Sequence, residues 1–75
     1  MEYKVIAGGH QFTVRIKGDT GRVIRQAINP VTGKPWQRLW YYDETTKERA
    51  MVQWLKLSTA ARQGKPFQMR GKAAR

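Results

Sequence analysis

Seventy-five residues make one small domain, which buries only about 60% of its unfolded surface. Fifteen Lys and Arg against five Asp and Glu leave a formal net charge of +10, a field that attracts polyanions, nucleic acid foremost. The chain has no cysteine for disulfides or thiolate metal sites, and no apolar run approaches the ~20 residues of a membrane span. Met1-Glu2-Tyr3-Lys4 does not read as a signal-peptide start, so a cytoplasmic, non-secreted protein with no membrane partner is expected.

Glu2 to Ala7 reads as a first strand, with Tyr3, Val5 and Ala7 on one face and Lys4 and Ile6 on the other. Gly8-Gly9 supplies the positive φ of a tight hairpin turn. Gln11 to Lys17 has the clearest alternation: Phe12, Val14 and Ile16 on a buried face, Arg15 and Lys17 on a wet one. His10, which opens this strand, reads as a polar turn residue. Gly18-Asp19-Thr20-Gly21 reads as a turn, and Arg22 to Asn29 as the third strand. Within it Ile24 and Ile28 are expected inward and Arg25 outward, because a buried, unpaired guanidinium is costly. A one-residue bulge would reverse that choice. Residues 29–35, with two prolines and a glycine, form a protruding loop that places Lys34 near its tip.

Trp36 to Tyr42 reads as a fourth strand, antiparallel to the third. Trp36, Arg38, Trp40 and Tyr42 share one face, Gln37, Leu39 and Tyr41 the other. Placing Leu39 and Tyr41 on the core leaves an open aromatic face with a cation at its centre. The reverse placement puts the aromatics under the helix and shifts the binding surface to Arg15, Lys17 and the tail. Thr45 and Glu48 have capping-box spacing, and Asp43, Glu44 and Glu48 suit the positive end of a helix dipole. From Thr46 to about Arg62 a helix is expected, with Ala50, Met51, Trp54, Leu57, Ser58 and Ala61 as its apolar stripe and Leu55 at the edge. Trp54 reads as a core plug, and Gly64 with Pro66 as the stop. Residues 65–75, with Lys65, Arg70 and Lys72, read as a basic flexible tail after a single domain over 1–64. Phe67 and Met69 are candidates to fold back on that domain. The expected fold class is α+β: a three- or four-stranded antiparallel meander, then one helix packed on one face.

Catalytic chemistry is poorly supplied. Three of the five acids cluster at the helix start, no Ser/His/Asp set or phosphate-cradling glycine loop stands out, and nothing calls for a cofactor or metal. The expectation is a non-catalytic nucleic-acid-binding protein, with duplex DNA favoured over single strands or RNA. Its candidate contacts are Arg15, Lys17, Arg25, Lys34, Trp36, Arg38, Trp40, Lys65, Arg70 and Lys72. A small basic domain of this kind also suits a phage or mobile-element regulator that docks on an acidic host protein, with Trp36, Trp40 and Tyr42 as anchors. Burial of the aromatic face in a homodimer is a third expectation.

Arg38-Leu39-Trp40, followed by residues 43–50 and then Trp54-Leu55, resembles the strand-to-helix join of tyrosine-integrase arm-binding domains and ethylene-response-factor domains. The resemblance spans roughly residues 11–62. It implies a three-stranded sheet lying in the DNA major groove with a helix behind it. Carried over, it implies DNA contacts from Arg15, Arg25, Trp36, Arg38 and Trp40. The long 29–35 loop and the additional first strand depart from that pattern. A second likeness is to double-stranded-RNA-binding domains, through Gly9-His10 ahead of Phe12-Thr13-Val14. That family has an N-terminal helix not seen here and a Lys-Lys-x-x-Ala run, of which Thr46-Lys47-Glu48-Arg49-Ala50 carries only part.

Overall fold

The structure, a computed structural model, describes residues 1–66 and the backbone of 72–74. The suggested fold-back of Phe67 and Met69, and the candidate Arg70, lie outside the described residues. Three long strands form the body of an antiparallel sheet: β1 (Glu2–Ala7), β2 (His10–Lys17) and β3 (Thr20–Ala27). Two-residue turns join them. Gly8 and Gly9 both have positive φ, 57° and 78°, as a twist-matched hairpin turn requires. The second turn is Gly18-Asp19, so Thr20 and Gly21 belong to β3 rather than to the turn. A short β4 (Leu39–Tyr41) extends the sheet beside β3, and β6 (Lys72–Ala74) pairs with β4. The two-residue β5 (Thr45–Thr46) pairs with the start of β3. The fold is thus α+β, an antiparallel sheet with one helix, α1 (Lys47–Arg62), packed on one face.

Loop 29–35 is a compact turn. Asn29 Oδ1 accepts from Val31 N, and the Asn29 amide donates to the Lys34 carbonyl at 2.8 Å. Ile28 faces Pro35, and Trp36 N donates to Ala27 O. The expected seven-residue strand does not run on from there. Three steps along β3, from Ile28 to Arg25, correspond to five along its partner, from Pro35 to Trp40. Two extra residues interrupt the ladder, and Gln26 Nε2 donates to the Trp36 carbonyl across the gap at 2.8 Å. Because the insertion is even-numbered, Trp36 and Trp40 still share a face.

That face is the helix side. The strand register sets Val5, Phe12, Arg25 and Trp40 in one row, and Tyr3, Val14 and Val23 in the next. Phe12, Val14 and Val23 are fully buried and join Ala50, Leu57 and Ala61 of α1 in the core. Arg25 therefore points to the helix side and Ile24 away from it, the reverse of the expected orientation, and the register holds without a bulge. Tyr41 faces away from the helix beside Ile24, while Tyr42 packs on the core. This corrects the expectation that Leu39 and Tyr41 meet the helix stripe. The stripe itself is as expected: Ala50, Leu57, Ser58 and Ala61 are buried, with Met51 and Trp54 packed beside them. Trp54 is a core plug, its Nε1 donating to the Phe12 carbonyl at 3.0 Å.

The helix cap falls one residue later than the sequence suggests. Thr45 pairs with Gly21, so Thr46 becomes the cap and its Oγ1 accepts from Arg49 N at 3.3 Å. Arg49 thus takes the place the capping box reserves for Glu, although Glu48 still sits in the first turn. At the other end Gly64 N donates to Ala61 O and Lys65 N to Ala60 O, with Gly64 at φ 70°, a Schellman stop. Two glycines let α1 lie close to the sheet. A Cβ on Gly21 would stand 2.7 Å from the Ala50 Cβ, and one on Gly8 would stand 2.7 Å from the Ala61 carbonyl oxygen. The helix therefore crosses from the start of β3 to the β1–β2 turn, packs on β1, β2, β3 and β5, and does not reach β4.

Candidate functional site

The geometry produces two basic surfaces. The first is the helix-free face of the sheet. Alternation from the observed register puts Glu2, Lys4 and Ile6 of β1 there, with Gln11, Thr13, Arg15 and Lys17 of β2. Thr20, Arg22, Ile24 and Gln26 of β3 share it, as does Tyr41 of β4. Thr13 and Ile24 are buried at its centre, and longer polar side chains surround them. Arg15 and Arg22 stand directly opposite each other on adjacent strands. Like charges so placed repel and destabilise the pair. Each guanidinium has a local compensation: Arg15 Nε donates to Glu2 Oε2, and Arg22 lies 4.9 Å over the Tyr41 ring. Lys4 and Lys17 flank this row, and Gln11 faces Gln26 one strand over. The described acids at the face are Glu2, also 3.8 Å from Lys4 Nζ, and Glu44, which accepts from Thr20 Oγ1 at its edge.

The second surface is the part of the helix-side face that α1 leaves uncovered. There a cleft of about 650 Å³ is lined by Arg25, Asn29, Thr32, Trp36, Arg38 and Trp40, among others. The Trp40 ring has two guanidiniums near it, Arg38 at 5.1 Å and Arg25 at 5.8 Å. Trp36 is half exposed at the rim. No acidic residue is among the described residues lining the cleft.

The sequence-selected residues thus divide. Arg15 and Lys17 lie on the helix-free face; Arg25, Trp36, Arg38 and Trp40 meet in the cleft. Neither arrangement considered from sequence holds: the aromatics are on the helix side, yet the helix does not cover them. Lys34 is exposed in the turn between the two. Lys65 lies apart from both, in a shallow groove with Leu55, Lys56 and Thr59 on the far side of α1. Lys72 belongs to β6, opposite Tyr41 in register. Sequence reasoning passed over Lys4, Arg22, Gln11, Gln26 and Tyr41. Counting outward from the two glycine turns finds the first four, because each turn fixes which residues face one another.

His10, across from Ala27 at the end of β2, has its pKa lowered below the ordinary 6.5, first by burial and then by the nearby Arg25 charge. A lowered folded-state pKa favours the neutral ring. The stabilisation it brings is present above the unfolded-state value and is lost as pH falls through the folded one. Between about pH 7 and pH 5 the thermal midpoint of the wild type should therefore fall more than that of His10→Gln, as differential scanning calorimetry would read.

Among the described residues no group of three or more His, Cys, Asp or Glu could hold a metal ion, and no helix is long and apolar enough to cross a membrane. No protein-family model, curated protein or solved structure matches the chain.

Proposed function

We propose that this chain is a non-catalytic nucleic-acid-binding module that lays the helix-free face of its sheet on duplex DNA. The observation that carries the reading is the facing pair Arg15 and Arg22, flanked by Lys4 and Lys17. A like-charged cross-strand pair opposes folding, and a bound phosphate relieves the repulsion that the fold leaves in place. The Gln11–Gln26 pair adds side-chain amides, the groups that read adenine edges in the major groove. A twisted sheet with a helix behind it is also the arrangement that the resemblance to sheet-reading DNA-binding domains implies. Of the five residues carried over from that resemblance, only Arg15 lies on this face, so the contacts proposed here are this chain's own. A small cytoplasmic regulator is the role that fits a basic module of this size.

Fluorescence anisotropy with labelled duplex DNA across a salt series tests the reading. Four phosphate contacts predict a slope of log K against log salt of about −3 to −4. No binding to any nucleic acid at low salt would remove it. The Glu2 carboxylate competes with phosphate for Arg15 and Lys4. Glu2→Gln should therefore tighten duplex binding by roughly 2- to 10-fold in the same assay, the scale of one exposed ion pair.

A further inference from the structure

We infer that the Trp36–Trp40 cleft seats one unpaired base with its phosphate, so that the preferred ligand is a nucleic acid carrying a single-stranded stretch beside the duplex. This rests on the nucleic-acid reading and adds a second, separate contact to it. The cleft, at about 650 Å³, lies within the 300–1,000 Å³ range of small-ligand sites, ample for one nucleotide. Its walls supply the two kinds of group an unstacked nucleotide needs. The half-exposed Trp36 indole offers a flat apolar surface for the base, with Trp40 behind it. Arg25 and Arg38, both close to the Trp40 ring, supply positive charge and planar donors for phosphate.

The chemistry also selects against other occupants. A caged ammonium ligand would meet two guanidiniums and no described carboxylate. An apolar helix would have to bury both charges. An acidic peptide matches the charge but makes no use of paired indoles. The cleft opens on the helix side of the sheet, whereas the duplex contacts lie on the other side. Exposed loop 29–35 and the Arg38 side chain lie at the sheet margin between the two, where a strand leaving a duplex end would pass.

The test measures the full chain against a blunt duplex and the same duplex with a single-stranded overhang, at fixed salt. The overhang should raise affinity by roughly 5- to 100-fold, the range of one base stacked on an aromatic ring. Trp36→Ala and Arg38→Ala should each abolish most of that gain while leaving blunt-duplex affinity within about twofold. Both side chains are exposed, so neither variant disturbs the core. Equal affinity of the wild type for the two DNAs would overturn the inference and leave the duplex reading intact. So would a gain that survives in both variants, or displacement of the overhang DNA by poly-glutamate as readily as by a single strand of equal charge. Absence of binding to either DNA would overturn both readings together.

Discussion

Phe12→Ala is expected to leave a largely unfolded chain. Phe12 is fully buried and central, with Val5 beside it in the sheet and α1 above. Its backbone carbonyl also accepts the Trp54 indole proton. Truncating a buried Phe to Ala removes about 3–5 kcal/mol, through lost transfer energy and the cavity left behind. At the usual scale a domain of this length has roughly 4–11 kcal/mol in total. With no disulfide to limit the unfolded ensemble, nothing compensates. Urea denaturation followed by circular dichroism should show the midpoint reduced by half or more. A loss below about 1 kcal/mol would mean that Phe12 is not in the core.

The double substitution Arg15→Ala, Arg22→Ala should act in the opposite sense, sparing the fold and removing binding. The two arginines face each other on the helix-free face, where Arg15 is well exposed. Taking both away ends a like-charge repulsion and breaks only a surface pair with Glu2. Urea stability should be unchanged or slightly higher. Duplex affinity at low salt should fall by roughly 10- to 100-fold, counting about 1–1.5 kcal/mol per charged hydrogen bond lost. The salt slope should flatten by about 2, one unit for each phosphate contact removed. Unaltered affinity would move the interface elsewhere.

The fold was readable wherever a strict period governed the sequence. Phe12, Val14 and Ile16 alternate, glycines punctuate the hairpins, and the Ala50–Ala61 stripe repeats at helical spacing. What could not be read was how far the helix extends over the sheet. Placing Arg25 outward assumed that every inward residue lies beneath α1. The turn at Gly18-Asp19 already sets Val14 against Val23, and by alternation Arg25 follows Val23 to the helix side. It does so without burying a bare charge, because α1 stops short of β4 and the guanidinium lies near the Trp40 ring. The aromatic stretch shows the same limit. Alternation correctly put Trp36 and Trp40 on one face, yet the two-residue insertion and the Gln26 side chain that bridges it leave no periodic trace. Gly21 was misread for a related reason. It looks like a turn residue, but it is a strand residue kept small so that Ala50 can approach.

The duplex-binding face is the central claim, and titration of the labelled protein with blunt duplex DNA, followed through the arginine Nε–Hε signals in NMR, tests it most directly. The account predicts that the Arg15 and Arg22 signals shift progressively at low salt and return as salt is raised, while that of Arg62 at the end of α1 stays in place. Shifts confined to Arg49 and Arg62 on the helix, with Arg15 and Arg22 unmoved, would contradict it.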